Sequence, residues 1–288
     1  MAKLVALNLS HLLPHDDFLA AFTTCEVMDD PRIEKVFLDD NHLGVHKISS
    51  GTTHRVVHPP KTDNGEDIKT AWEAFYPKGS VNPKGEIPGG FGLYVSGPPS
   101  FAERLATASE ATFGYRMMLQ KDWEWPMVAL VGGRTDVANA STYGPDGVGE
   151  LYAYLPLTAD NATQLSAVPP RSMPNSDYGF SVGRGAFRLD HAIGNWVTIA
   201  FRIKMNGVDS KDGKNDLIPP CPLTGEVEIW VDGNSVIKVE GLTIRTSDSG
   251  RIKGMHFQTF FGGCHGKDWA SPKDQRAWFA DVTGAILE

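Results

Sequence analysis

The most constraining feature of this chain is a succession of short segments from Ala71 onward, in which apolar and polar residues alternate and turn residues intervene. The segment "GEVEIWVDGNSVIKVEGL" predicts a β-hairpin with strands at Glu226–Val231 and Val236–Val239, joined by a turn that contains Asp-Gly. Further segments of this kind are "TFGYRMMLQ", "NWVTIAFRIKMN", "GMHFQTFF" and "QRAWFADVTGAILE". Many short strands with little helix after residue 110 predict an all-β protein, a β-jelly roll or concanavalin-like β-sandwich.

The first 69 residues have a mixed pattern. The segment "HDDFLAAFTTCEVM" predicts a short helix, and "RIEKVFLDDNHLGVHKIS" predicts strand fragments separated by turns. No internal repeat or long linker divides the 288 residues, which are enough to bury a sizeable core. We therefore expect one jelly-roll domain over residues 70–288, with a short N-terminal elaboration over residues 1–69 packed on it.

The net charge of the chain restricts the classes of partner that it is expected to bind. The formal net charge is −8, which disfavours nucleic acid and anionic membrane surfaces because both require a basic surface. A polysaccharide partner is compatible with this charge, and oligomer formation stays open. No glycine-rich phosphate-binding motif is present in the sequence.

Cysteine usage and the N-terminal segment bear on localisation. The three cysteines, Cys25, Cys221 and Cys264, form no CxxC pair, which favours reduced thiols over a disulfide framework or a zinc site. The first residues lack the sustained apolar stretch of a signal peptide, and no window reaches the roughly 18 apolar residues of a membrane span. We expect a cytoplasmic protein, or one exported by an unconventional route.

The segment "DGVGELYAYLP" places Tyr152 and Tyr154 two residues apart, and therefore on one face of a predicted strand. Such a pair is compatible with a wall of core, with a platform on which sugar rings stack, or with a proton-transfer pair. The strand pattern alone leaves these three alternatives open.

Several segments together resemble the fungal branch of the polysaccharide lyase family 14. They are "AWEAFYPKGSVNPKGEIPGGFGLYVSGP", "TFGYRMMLQ", "GELYAYLP", "GEVEIWVDGNSVIKVEGLTIR" and "GMHFQTFFGGCHGKDWASPKDQRAWFADV". The resemblance covers roughly residues 70 to 286 and implies a jelly roll. It also implies cleavage of uronate chains by β-elimination, which needs a cation or donor at the uronate carboxylate, a base and an acid. The resemblance implies that Tyr152 and Tyr154 line the groove where this happens.

Two departures from the family pattern bear on catalysis. The family carries a lysine in a segment like "KGGKLPG", whereas "PKGEIPGG" has Glu86 at that position and Lys84 two residues earlier. The family also has a serine and an arginine in a strand like "FSxRLMW", and "FGYRMML" matches it with Arg116 but with Gly114 in place of the serine. About 25 residues, "KDWEWPMVALVGGRTDVANASTYGP", stand as an insertion between that strand and the tyrosine strand.

The resemblance and its departures together favour a lectin-like protein that binds glycan in the concave groove of a lyase-type jelly roll, with catalysis lost or weakened. The alternative is an active lyase on glucuronan or alginate, which would use Tyr152 and Tyr154 with Arg116 and Lys84. A storage or structural protein that keeps only the fold is a third reading.

Further candidate contacts with the sugar are aromatic, cationic or amide side chains near predicted loops or on one strand face. Each has an alternative role in the core, in loop bracing or at a solvated surface. These candidates are Trp125, Arg184, His256, Gln258, Trp269 and Lys273. Asp281 on the last strand is a candidate calcium ligand, by analogy with concanavalin-like sandwiches alone, and calcium is the one cofactor the sequence raises.

Overall fold

A computed structural model of the protein contains two large β-sheets packed face to face. The structure describes residues 9–62, 65–81, 85–125, 128–130, 133–134, 138–143, 147–175, 179–208, 223–262 and 269–288. In the described part of the chain, no helix is both long enough and apolar enough to span a membrane. The prediction of an all-β sandwich is confirmed.

The first sheet has the order β16-β15-β14-β7-β18-β1-β2, with β5 beside the other half of β18 and β4 beyond β5. Its strands are β1 Ala20–Thr23, β2 Ile33–Lys35, β4 Arg55–Val57, β5 Ala71–Tyr76, β7 Glu110–Leu119, β14 Val197–Lys204, β15 Gly225–Val231, β16 Asn234–Leu242 and β18 Gln275–Ile286.

The second sheet has the order β12-β13-β11-β10-β8-β17-β6-β3, and β9 pairs with both β10 and β17. Its strands are β3 Val45–His46, β6 Phe91–Val95, β8 Val128–Leu130, β9 Gly133–Arg134, β10 Ala138–Tyr143, β11 Val148–Ala153, β12 Met173–Pro174, β13 Phe180–Arg188 and β17 Met255–Phe261. Two short helices, α1 Pro99–Leu105 and α2 Ala159–Ser166, and two 3₁₀ turns, Leu9–His11 and Asp190–Ala192, complete the described elements.

The core lies between the sheets and is rich in aromatic rings. Tyr115 of β7 and Phe279 of β18 each lie 5.0 Å, between ring centroids, from Phe257 of β17. Phe91 of β6 stacks on Phe257 at 5.6 Å, and all four side chains are inaccessible to solvent. Because successive side chains of a strand point to opposite faces, these contacts fix which residues of each strand face inward.

The N-terminal residues take part in the sandwich. The helix predicted around residues 15–28 is wrong, because Ala20–Thr23 forms β1, which pairs with β18 on one side and β2 on the other. Leu12 and Leu13 are buried in a small apolar cluster outside the main core. The Leu12 carbonyl oxygen would lie only 2.3 Å from a Cβ placed on Gly114 of β7, so this position excludes a side chain. Packing against the Leu12 backbone therefore explains the glycine at position 114.

Candidate functional site

The tyrosine pair lies on the outer face of the second sheet. Leu151 and Ala153 of β11 are buried in the core between the sheets, so Tyr152 points to the opposite side. The ring centroids of Tyr152 and Tyr154 are 5.0 Å apart and the ring planes are tilted by 55°. The tyrosines are therefore outside the inter-sheet core, although Tyr152 itself is buried with 7% exposure.

The phenolic oxygen of Tyr152 accepts a hydrogen bond from the Asn175 amide nitrogen at 2.5 Å. Asn175 follows the short strand β12, which pairs with β13 next to β11. Gly179 lets the rings approach the backbone here, since it has φ +79° and a Cβ on it would lie 2.8 Å from the Tyr152 ring. An N–H that donates to a phenolic oxygen stabilises negative charge on that oxygen.

A buried carboxylate belongs to the same face. Glu150, two residues before Tyr152 on β11, is fully buried and accepts a hydrogen bond from the Ser181 hydroxyl. The Arg184 guanidinium lies 3.6 Å from the Glu150 carboxylate, and the Arg184 side chain is 30% exposed. A buried carboxylate needs such partners to offset the loss of its hydration. Arg184 is thus linked through Glu150 to the strand that carries Tyr152.

Strand pairing extends this face across the sheet. Tyr152 is paired with Ser181 on one side and with Asn139 on the other. Asn139 is paired with Arg134, and Arg134 with His256. The line continues through Tyr94 and His46 of the next two strands. We call this line of register positions the transverse row. It runs perpendicular to the strands and includes one position from each strand it crosses.

His256 and Gln258 lie on the outer face of the second sheet. Both are half-buried on β17, where they alternate with the buried Met255, Phe257 and Thr259. The face of β17 that carries these two candidate residues therefore coincides with the face that carries the tyrosines. The His256 imidazole stacks on the Tyr94 ring, with centroids 4.2 Å apart and planes 6° from parallel.

Arg116 does not belong to this face, which corrects the prediction that it shares a groove with the tyrosines. Its strand, β7, lies in the first sheet, and Arg116 alternates with the core residue Tyr115, so it points away from the second sheet. The guanidinium, buried with 5% exposure, lies 2.6 Å from the Glu66 carboxylate and 3.4 Å from the Asp281 carboxylate. Stacked sheets are about 10 Å apart, and the side chains of Arg116 and Tyr152 point outward in opposite directions.

Asp281, the candidate calcium ligand, is the buried partner of Arg116. Burial raises the pKa of the Asp281 carboxyl, and the nearby positive charge of Arg116 opposes that rise. Burial and the Asp281 charge also raise the pKa of the Cys25 thiol to about 12. The described residues contain no group of three or more His, Cys, Asp or Glu side chains placed to hold a metal ion. Among the described side chains Asp281 forms an ion pair with Arg116, and its role as a calcium ligand stays a prediction.

Trp125 and Trp269 are both half-buried and pack against other parts of the chain. Trp125 is half-buried, packs against the main core and lies 5.7 Å from Trp123, between ring centroids. Trp125 therefore lies at the edge of the core, and its role as a sugar contact stays a prediction. Trp269 is half-buried and packs beside Gly262, at the C-terminal end of β17.

Lys273 lies just before β18. Its ammonium group is 2.7 Å from the Asp122 carboxylate and 3.2 Å from that of Glu124, both in the turn region after β7. The hydrogen bond from Lys273 lowers the pKa of Asp122 to about 2. The charge of Lys273 is balanced by these two carboxylates, and its role as a sugar contact stays a prediction. Lys84 lies outside the described residues.

Comparison with known proteins decides the family. The family model for Polysaccharide lyase 14 matches residues 64–282. The chain belongs to this family. Similar solved structures include a PL-14 alginate lyase from Aplysia kurodai, at 22% identity and a TM-score of 0.61 over 85% of this chain and 91% of that one. An alginate lyase from a Chlorella virus gives 18% identity and a TM-score of 0.59, over 85% and 93%. At these identities the likeness establishes the fold, and no curated protein sequence matches the chain.

Some residues in the part of this polysaccharide lyase 14 fold around the tyrosines were not predicted from the sequence. Asn175, Glu150 and Arg134 were not predicted, and Arg134 lies within the segment interpreted as an insertion. That segment contains β8, β9 and β10, which form the part of the second sheet between β17 and β11. The segment "ANASTY", followed by the turn-type residues Gly, Pro, Asp and Gly, gave only a weak signal for a strand, because alanine and asparagine are depleted in strands.

Proposed function

We propose that this protein binds a uronate-containing polysaccharide on the outer face of its second sheet, around Tyr152 and Tyr154, with β-elimination lost or weak. The observation that carries the proposal is the assembly of two tyrosines, Asn175 and the partly exposed Arg184 on one face of a polysaccharide lyase 14 fold. Aromatic rings offer apolar area with a polar edge to a sugar, and a guanidinium binds a carboxylate through paired N–H groups.

The charge balance of the site supports weak catalysis. Elimination needs a cation at the uronate carboxylate and a second group that keeps the base deprotonated. The arginine that pairs with the tyrosine strand through Glu150 is Arg184, and its guanidinium already lies 3.6 Å from that buried carboxylate. Drawing Arg184 fully to a substrate would leave Glu150 with less compensation for its burial. Arg116, the arginine that matches the family pattern, is on the other side of the sandwich.

The binding test uses calorimetric titration of the full chain with glucuronan and alginate oligosaccharides, and with a neutral cello-oligosaccharide as control. We expect binding of a uronate chain and at least tenfold weaker binding to the neutral chain. Arg184→Gln and Tyr154→Ala should each weaken uronate binding, whereas Arg251→Gln, at an exposed arginine in the loop before β17, should leave it unchanged. Absence of binding to every uronate chain, with the protein folded, would overturn the proposal.

An active lyase is the second candidate, and the register position of Arg134 favours it. Arg134 is two strand pairings from Tyr152 on the transverse row, a backbone separation of about 10 Å. The backbone at position 134 thus belongs to the second sheet, with the tyrosine strand, whereas Arg116 belongs to the first sheet. The test follows the ultraviolet absorbance of the unsaturated product. Turnover that disappears in both Tyr152→Phe and Arg134→Ala, with substrate binding retained, would establish this activity in place of a binding protein.

A further inference from the structure

A second cluster of polar and aromatic side chains lies at the far end of the transverse row from the tyrosines. We call His46, Lys47, Tyr94 and His256 the far cluster. The Tyr94 ring is stacked against the His256 imidazole at 4.2 Å, and the His46 imidazole lies 5.6 Å away on a neighbouring strand. The Lys47 ammonium lies 4.9 Å from the centroid of the Tyr94 ring. Tyr94 and His256 are half-buried, and His46 and Lys47 are exposed.

The far cluster is on the same face as the tyrosines. Tyr94 lies between the buried Leu93 and Val95 on β6, and His256 between the buried Met255 and Phe257 on β17. Their side chains therefore point out of the sandwich, on the side of the second sheet that carries Tyr152. The cluster and the tyrosine site therefore lie on the same face of the second sheet.

The backbone and charges of the cluster fit an anionic ligand. Lys47 has φ +50°, a left-handed conformation that side-chain-bearing residues rarely adopt and that often marks functional sites. Among the described residues no carboxylate forms an ion pair with Lys47, whereas Lys273 and Lys204 each have acidic partners. His46 is oriented by a hydrogen bond from its Nδ1 to the Gly44 carbonyl oxygen at 3.0 Å.

The strand register gives the backbone distance between the tyrosines and the far cluster. His256 is three strand pairings from Tyr152, Tyr94 is four and His46 is five. At about 4.8 Å per strand these are backbone separations of about 14, 19 and 24 Å. One sugar ring cannot contact both ends, but a chain of several rings laid across the strands can.

We infer that the far cluster is a second subsite for the same acidic polysaccharide, several sugar units from the tyrosines, and that the chain binds across the strands of the second sheet. This inference rests on the proposed function. Lys47 supplies a positive charge to a uronate carboxylate, the imidazoles hydrogen-bond to sugar hydroxyls, and Tyr94 supplies the ring against which they are held.

The test compares short and long uronate oligosaccharides, a disaccharide and an octasaccharide, by calorimetric titration of the full chain. We expect the octasaccharide to bind at least tenfold more tightly than the disaccharide, a difference of about 1.4 kcal/mol. Lys47→Ala and Tyr94→Ala should each remove most of this gain and leave disaccharide affinity unchanged. Tyr94→Phe keeps the ring and serves as the matched control, and Tyr152→Ala should weaken both ligands. Melting temperatures verify that each variant is folded.

The outcomes separate the two proposals. If the wild-type protein binds both lengths with equal affinity, or if neither far-cluster variant changes octasaccharide affinity, the second subsite is wrong and the tyrosine site stands. If the folded wild-type protein binds no uronate chain of either length, the proposed function fails, and the second subsite fails with it.

Discussion

Removal of the buried Arg116 side chain is the sharpest test of the geometry, because it separates a structural ion pair from a groove contact. The guanidinium is 2.6 Å from Glu66 and 3.4 Å from Asp281, and it also lies 5.6 Å from the Trp196 ring centroid. Arg116→Ala would leave the Asp281 carboxylate buried without its cation. We expect a large loss of stability and unchanged glycan affinity in the fraction that remains folded.

The size of the loss follows from the burial of each partner. Removing one member of a buried ion pair costs about 3–5 kcal/mol. The Glu66 side chain is 31% exposed and can recover hydration, whereas that of Asp281 is 10% exposed. We therefore expect the lower end of the range, about 3 kcal/mol. For a chain of this size, that lowers the melting temperature by about 6–12 °C.

The loss should also depend on pH. A carboxyl whose pKa is higher in the folded than in the unfolded state stabilises the fold while it is protonated, and this contribution is lost as the pH rises through the folded pKa. Burial raises the pKa of Asp281 above its ordinary value of 3.8, and Arg116 opposes that rise. Without Arg116 the folded pKa is higher still. The difference in stability between variant and wild type is therefore largest near neutral pH and shrinks as the pH falls toward about 4.

Urea unfolding at several pH values measures the loss. Arg32→Ala is the matched control, because Arg32 forms an exposed ion pair with Asp30 at 2.7 Å, and its removal should cost much less stability than that of Arg116. The double variant Arg116→Met with Asp281→Asn removes both charges, and asparagine tolerates the φ of +55° at position 281. It should recover part of the loss. A folded Arg116→Met protein with wild-type stability and no glycan binding would refute the placement of Arg116.

Three further predictions concern other parts of the fold. Gly179→Ala should lower stability by about 1–3 kcal/mol and weaken glycan binding, because the position has φ +79° and its Cβ would collide with the Tyr152 ring. Gly185→Ala, with φ +97° and a nearest neighbour at 3.3 Å that is not a tyrosine, should lower stability but not affinity; equal affinity losses would contradict the reasoning. Asn161→Ala should cost about 2–3 kcal/mol in urea unfolding, since this buried amide bonds the Pro156 and Thr243 backbones at 2.8 Å, and a loss below about 1 kcal/mol would count against it. Cys25 should resist alkylation in the native protein at pH 8 and react after unfolding, because its pKa is about 12 and the thiolate is the reactive form; peptide mapping that finds native labelling at Cys25 would contradict this.

Much of the local structure could be predicted from the sequence. The hairpin of β15 and β16 is where the alternation places it, and its turn residues Asp232 and Gly233 have φ +48° and +77°, as the tight hairpin turn requires. The helix α2 was missed, although Thr158 accepts a hydrogen bond from the Asn161 backbone N–H as an N-cap does. The sequence "LTADNAT" held that signal.

The local sequence pattern gave a wrong prediction where pairing with a distant strand decided the secondary structure. "FLAAFTTC" has a pattern that a helix can accommodate. Residues 20–23 instead form a strand that pairs with β18, which is more than 250 positions away in sequence. Pairing with a distant strand overrides helix propensity, which is worth at most a few tenths of a kcal/mol per residue for these residue types. No local pattern in the sequence indicates such a pairing.

By itself, the sequence determined that the chain is all-β, and the alternation on β7 and β11 determined which neighbouring residues share a face. It did not determine which of two sheets each strand joins. The period of two in a strand is the same in either sheet, so Arg116 and Tyr152 could be assigned to one groove by pattern alone. Only the tertiary structure placed them on opposite outer faces, with Arg116 paired with Glu66 and the buried Asp281, and Tyr152 beside Asn175. That same pairing of strands brought Arg134, His256 and Tyr94 into line with the tyrosines, because backbone hydrogen bonds between distant segments set the register.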